Sequence, residues 1–271
     1  MAPHAVGALR MTCILGTGKA TALLLAVRGM KVVCADVDEA VSEVAAAIRH
    51  SGGSGRWMGF QIPDLSGPQV LTVLCLPFVC GLRPAVAQVC DMSKEASAQQ
   101  LVDTCVREFG HMDVMFANAG VAGTMTPLLE QDTEEWERVF RVNVLGVFWC
   151  LRAAASRSVH MCVCVCRCFT MGGLTRMITV WGSMVDQGTG GSILFTASVA
   201  GLRAGAGATP YSATKAAVNS LCQTGSWGLY KSGIRVNSVC PGLIRTGMTE
   251  LLFLAAEAAG KAKKVGQVWE Y

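Results

Sequence analysis

The chain has 271 residues, 52% of them hydrophobic and 15% charged, enough to bury the core of one large α/β domain. A net charge of +4, whose densest cluster is only Lys261, Lys263 and Lys264, argues against a nucleic-acid partner. Thirteen cysteines without a glycosylation sequon or secretory leader suit free thiols in a reducing compartment, and the apolar run at 70–82, broken by Pro77, is too short for a bilayer. The expectation is a soluble, cytoplasmic protein with no membrane partner.

Strand and helix signals alternate, which predicts parallel βαβ units and a doubly wound α/β fold, one domain over 1–271. A short strand ends at 13–15, and a helix rich in Ala and Leu follows over 19–28, closed by Gly29. A buried strand over 31–35 ends at Asp36, and a second helix spans 39–50. Residues 56–86 carry prolines and no steady period, and read as an irregular insertion. Order resumes with a strand at 87–90 and a helix capped by Ser93 and ending at Phe109. A fourth strand covers 111–117, and a long helix capped by Thr133 reaches Ser156, with Glu134 and Glu135 in its first turn. A second irregular insertion spans 158–190. Its Cys162-Val-Cys-Val-Cys-Arg-Cys168 run alternates thiols without the paired spacing of structural zinc sites, and no metal is expected. A fifth strand over 192–197, a helix over 211–230, a sixth strand over 234–239 and a helix over 249–260 complete the chain.

Tyr211 and Lys215 stand four residues apart at a helix start, so they share one helix face. An ammonium beside a phenol favours the phenolate, which predicts a lowered Tyr211 pKa and proton exchange with an alcohol or carbonyl. Gly16-Thr-Gly18 lies between a strand and a helix, where glycines let a pyrophosphate approach a helix N-terminus. Asp36 ends the next strand, where an acid holds ribose hydroxyls and repels a 2′-phosphate, so NAD is favoured over NADP. Asn118-Ala119-Gly120 ends the fourth strand with small residues that a cofactor can approach. Asn143, a poor helix former, sits mid-helix and suggests a bound water or proton path. Ser198 follows the fifth strand as a donor for a substrate oxygen, and Pro241-Gly242 ends the sixth, with Ile244 and Thr246 just beyond.

In this order the motifs resemble the short-chain dehydrogenase/reductase family, over residues 15–248 apart from the two insertions. The resemblance implies a Rossmann fold and hydride transfer between NAD(P) and a small alcohol or carbonyl substrate. It makes Tyr211 the general acid/base, Ser198 the carbonyl's partner, Lys215 the group that tunes Tyr211 and binds ribose, and Asn143 the keeper of a relay water. It puts Asp91 at adenine and Ile244 and Thr246 at the nicotinamide amide. It also implies a homodimer or homotetramer through the helices at 133–156 and 211–230.

The chain departs from the family pattern in four places. The glycine loop, Thr-Gly-x-x-x-Gly-x-Gly in the family, keeps only Gly16 and Gly18; the two insertions interrupt it; and the family's last strand and most of its substrate lid are missing by Tyr271. These departures support a second expectation, a catalytically inactive relative or an aberrant splice or gene-model product with impaired cofactor binding.

Overall fold

Lys31-Val-Val-Cys-Ala-Asp36 is apolar at both phases of its alternation, as a strand covered on both faces must be. In the computed structural model, which describes residues 8–12, 16–50, 85–155 and 184–258, this segment is strand β2 (Lys31–Asp36), second from one edge of a six-stranded parallel sheet. The other strands are β1 (Ala8–Thr12), β3 (Ala85–Val89), β4 (Val114–Ala117), β5 (Gly191–Thr196) and β6 (Ile234–Val239), in the order β3-β2-β1-β4-β5-β6. Every pair is parallel, with Leu9 opposite both Val32 and Val114. The strand order therefore reverses between β1 and β4, and the carboxyl ends on either side of that point frame a crevice.

Helices cover both faces. Val32 and Cys34 turn towards α1 (Thr17–Val27) and α2 (Val41–His50), in a cluster with Ala22, Ala26, Val44 and Ile48. Val33 and Ala35 turn the other way, into a larger cluster with α3 (Glu95–Phe109), α5 (Gly146–Ala155) and α7 (Thr209–Gly228). Leu101, Met115, Ile193 and Phe195 are fully buried there. Each such side chain contributes about 1.5–3 kcal/mol by leaving water. Gly110, at φ 84, closes α3 in the left-handed conformation.

Several boundaries differ from the sequence expectation. The described part of the first strand is Ala8–Thr12, paired with the run from Lys31 to Ala35; residues 13–15, expected as its end, lie outside the described residues. Lys94, not Ser93, precedes α3; the Ser93 N–H is turned back onto the Asp91 carboxylate at 2.9 Å. Asp132, not Thr133, caps α4 (Thr133–Phe140), its side chain accepting the Glu134 N–H. The long helix is also not continuous. A π turn at Arg141–Leu145 separates α4 from α5. Helix α7 begins two residues before Tyr211, with Pro210 in its first turn. Both irregular stretches are shorter than expected: β3 starts at Ala85, and a short helix, α6 (Met184–Gln187), precedes β5. The remainder of both stretches, with the Cys162–Cys168 run, lies outside the described residues. A last helix, α8 (Glu250–Ala258), follows β6.

Candidate active site

A cleft of about 470 Å³ opens along the carboxyl edge of the sheet. Asp36, Asp91, Asn118, Ala119, Gly120, Ser198, Tyr211, Lys215, Pro241, Gly242, Ile244 and Thr246 all line it. Gly16 stands at the foot of α1 with φ 66, where a Cβ would meet Thr246 Cγ2 at 2.7 Å; that side of the cleft closes only around a glycine. Gly18 is buried in the first turn of α1, a turn free of acidic residues and so open to an anion. Asn143 lies behind the cleft wall, fully buried.

Lys215 and Tyr211 share a face of α7, with the Lys215 Nζ 5.4 Å from the centre of the Tyr211 ring. The ammonium is buried and donates to the Thr196 carbonyl at 2.7 Å. The Tyr211 phenol is shifted upward from its ordinary value; burial is the larger cause, and a hydrogen bond with Ser198 opposes it. This corrects the expectation of a lowered pKa: the ammonium reaches past the ring to a strand-end carbonyl. Ser198 ends the extended stretch after β5, 3.5 Å from the Pro241 carbonyl, and its Oγ accepts the Ala200 N–H at 3.1 Å.

Asn143 sits in the π turn, and its amide makes three hydrogen bonds. Its Oδ1 accepts the Val121 N–H at 2.8 Å, and its Nδ2 donates to the Val121 carbonyl at 2.9 Å and to Thr214 Oγ1 at 3.0 Å. The side chain therefore fixes the strand-exit backbone instead of reaching for solvent. Directly in front, a Cβ on Gly120 would lie 3.2 Å from Asn143 Oδ1 and 3.4 Å from Lys215 Nζ, so a side chain there would fill the cleft floor.

At the other end, the Asp36 carboxylate accepts the Asp38 N–H at 3.1 Å. Asp91 is held below the usual carboxylate range, first by the Ser93 hydroxyl, then by the Ser93 N–H and by Lys94, whose Nζ is 3.3 Å away. Three threonines that the sequence reading passed over complete the frame. Thr17 and Thr196 both donate to Asn118 Oδ1, at 3.2 and 2.7 Å, and Thr214 donates to the Tyr211 carbonyl at 2.6 Å. Asn118 is 101 and 78 residues from Thr17 and Thr196, so local pattern could not pair them, whereas the Thr214–Tyr211 bond spans three residues within one helix. Among the described residues no group of His, Cys, Asp or Glu is placed to hold a metal.

A crevice at the switch point of a doubly wound sheet, with carboxylates at one end and a phenol, hydroxyl and ammonium at the other, fits a dinucleotide and an oxidoreductase site. The sequence profile described as short chain dehydrogenase matches residues 81–160 and 169–256. The cis-4-hydroxycyclohexanecarboxylate dehydrogenase of Sinomonas cyclohexanicum is 31% identical over 231 residues, 85% of this chain and 70% of that one. A diacetyl reductase of Staphylococcus epidermidis is 32% identical over 186 residues, 69% of this chain and 62% of its own length. A short-chain type dehydrogenase/reductase from Mycobacterium marinum superposes with a TM-score of 0.68 at 27% identity, over 93% of this chain and 78% of that one. The chain belongs to the short-chain dehydrogenase/reductase family of NAD(P)-linked oxidoreductases.

Proposed function

We propose that this chain interconverts an alcohol and a ketone or aldehyde by hydride transfer, preferring NAD to NADP, with Tyr211 as general acid/base. The carrying observation is the convergence of Tyr211, Ser198 and Lys215 on one end of a cleft whose other end holds Asp36 and Asp91. When bound, the nicotinamide supplies or accepts the hydride. Ser198 holds the carbonyl oxygen, and Tyr211 delivers a proton to it during reduction or removes one during oxidation. The raised pKa keeps the phenol protonated near neutrality, which suits the reductive direction. Lys215, held by Thr196, supplies positive potential to the phenolate formed and binds the nicotinamide ribose.

Asp36 would accept the adenosine ribose hydroxyls and repel a 2′-phosphate, and Asp91 would meet adenine. Gly16, Gly18 and the start of α1 would face the pyrophosphate, while Asn118, Ala119 and Gly120 would form the floor. Pro241, Gly242, Ile244 and Thr246 would border the nicotinamide amide. A relay water at Asn143 would be held by the main chain of the π turn, since both side-chain N–H groups already have partners. The same reading extends to a cytoplasmic homodimer or homotetramer, paired through α5 and α7; Phe148 and Trp227 stand exposed on those helices, and light scattering reports the mass. Among the described residues no helix is long and apolar enough to cross a membrane.

One observation favours the second reading, an inactive relative: only residues 13–16 separate β1 from α1. Each backbone donor lost from a pyrophosphate loop costs about 1 kcal/mol of affinity, and several together cost orders of magnitude. Fluorescence titration with NADH separates the two. Micromolar binding supports the enzyme, and no binding up to millimolar cofactor supports the inactive form. Tyr211→Phe should abolish turnover with NADH affinity kept, and Asp36→Ala should relax discrimination against NADPH.

A further inference from the structure

Helix α7 carries Tyr211 and Lys215, and its start offers little to orient it. Ala208, the residue before it, has no side chain that can cap the first turn, and Pro210 has no N–H. Lys215 is nevertheless fixed twice. Its ammonium ends on the Thr196 carbonyl at 2.7 Å. The turn Val199–Gly201 also packs against its main chain, so closely that a Cβ on Gly201 would lie 2.5 Å from the Lys215 carbonyl carbon. Both contacts act one helical turn beyond Tyr211.

The turn that bears Tyr211 is reached through Thr214. This side chain is wholly buried, and its hydroxyl bonds in two directions. It accepts from Asn143 Nδ2 at 3.0 Å and donates to the Tyr211 carbonyl at 2.6 Å. Asn143 in turn grips both backbone groups of Val121. One unbroken run of hydrogen bonds therefore leads from the cleft floor, across the π turn, to the main chain of Tyr211. A helical threonine that bonds back to a carbonyl one turn earlier bends its own helix and no more. Here the second bond, to a residue 71 positions away, gives that local bend an outside reference. Tyr211 has a use for one, because its hydrogen-bond partner Ser198 stands on a different element. A misplacement of ~1 Å is enough to cost a reaction about 100-fold.

We propose that Thr214 is a positioning residue: through its hydroxyl, the π turn sets where the first turn of α7, and with it the Tyr211 ring, stands relative to Ser198 and the cleft floor. This rests on the reading of Tyr211 as general acid/base. Thr214 is not among the residues that line the cleft, so it acts through Tyr211 alone. Removing its hydroxyl cuts the run at one link and leaves Asn143 holding Val121. The floor then stays in place while the phenol drifts, and chemistry separates from cofactor binding.

The test uses the full chain as Thr214→Val, which keeps the shape and loses the hydroxyl, and Thr214→Ser, which keeps the hydroxyl. If the valine variant does not fold, Thr214→Ala replaces it. Reduction of cyclohexanone and of diacetyl by NADH gives kcat, and NADH fluorescence gives cofactor affinity. Ultraviolet difference titration, with the Tyr211→Phe spectrum subtracted, follows the phenol without any turnover. In Thr214→Val kcat should fall about 10- to 100-fold with NADH affinity kept. The phenol should titrate at higher pH, because a displaced ring loses the Ser198 bond that opposes burial, while Lys215, the cation 5.4 Å from the ring centre, keeps its own anchor. Thr214→Ser should restore both. An unchanged kcat and phenol titration in Thr214→Val overturns the proposal. So does a serine variant as impaired as the valine one, or a loss of NADH affinity in step with kcat while the titration stays put. Failure of the wild type to reduce either ketone counts against the alcohol–carbonyl reading alone; the titration then decides, a midpoint raised by valine and restored by serine keeping Thr214 in this role and an unmoved one removing it.

Discussion

Replacing Asn143 by alanine probes whether the π turn holds the cleft in shape. The side chain is wholly buried and makes three hydrogen bonds of 2.8, 2.9 and 3.0 Å. Truncation strands the Val121 N–H and carbonyl and removes a donor from the Thr214 hydroxyl, which keeps its own bond to the Tyr211 carbonyl. Two backbone groups losing their partners cost about 1–3 kcal/mol each, reduced where water reaches the half-buried Val121, so the sum is ~3 kcal/mol. Guanidinium unfolding followed by fluorescence, compared at constant m, measures the loss. Freed from its clamp, the backbone at Gly120 and Val121 also moves against the cleft floor, so NADH affinity should fall in the same variant. A loss under ~1 kcal/mol together with unchanged NADH affinity would refute the assignment of Asn143 as the brace of this wall.

With Tyr211 in the proposed role of general base, its burial-raised pKa confines the phenolate to alkaline pH; log kcat/KM for alcohol oxidation should then climb from neutrality through the ordinary phenol value of 10.0, while carbonyl reduction stays level until that range. An oxidation profile flat from neutral to pH 10 would contradict this. Cys34 is fully buried on β2, and burial pushes its thiol from 9.0 up to about 12 against a smaller opposing pull from Arg49. Below pH 9 the thiol is protonated in folded and unfolded chains alike. As pH rises towards 12 the unfolded chain gives up a proton that the folded chain retains, so stability falls by up to ~4 kcal/mol. The stability difference between wild type and Cys34→Ala should shrink accordingly between pH 8 and pH 11 in urea titrations. Gly16→Ala forces a Cβ within 2.7 Å of Thr246 Cγ2 at a left-handed φ, and should cost ~1–2 kcal/mol and weaken NADH binding, read by thermal shift with and without NADH.

The later strands were legible because β4 to β6 carry apolar residues in register with helices that are amphipathic in their own right. Asp36, Ser198 and the Tyr211–Lys215 pair were legible because strand ends and the four-residue helical spacing place side chains without any knowledge of tertiary contacts. The body of the first strand, Ala8–Thr12, went unread because it takes its strand character from pairing with β2. The π turn at Asn143 leaves no local mark: Arg-Val-Asn-Val-Leu is a mediocre helix, and the turn is set by what the amide binds seventy-one residues away at Thr214. The direction of the Tyr211 shift failed for a related reason. Spacing puts Lys215 on the correct face, yet where a flexible four-carbon stem ends depends on an acceptor, here the Thr196 carbonyl. Roles created by a partner far along the chain are the ones that local pattern cannot carry.

The hydroxyls of Thr17 and Thr196 meeting on one Asn118 oxygen link the exits of three neighbouring strands, β1, β4 and β5. Such a rivet fixes the width of the gap between the halves of the molecule, so a bound dinucleotide finds its two ends already at a set separation. Whatever breathing accompanies turnover is then assigned to the outer segments after β4, β5 and β6, and exchange of their amide hydrogens should outpace that of the riveted strand ends.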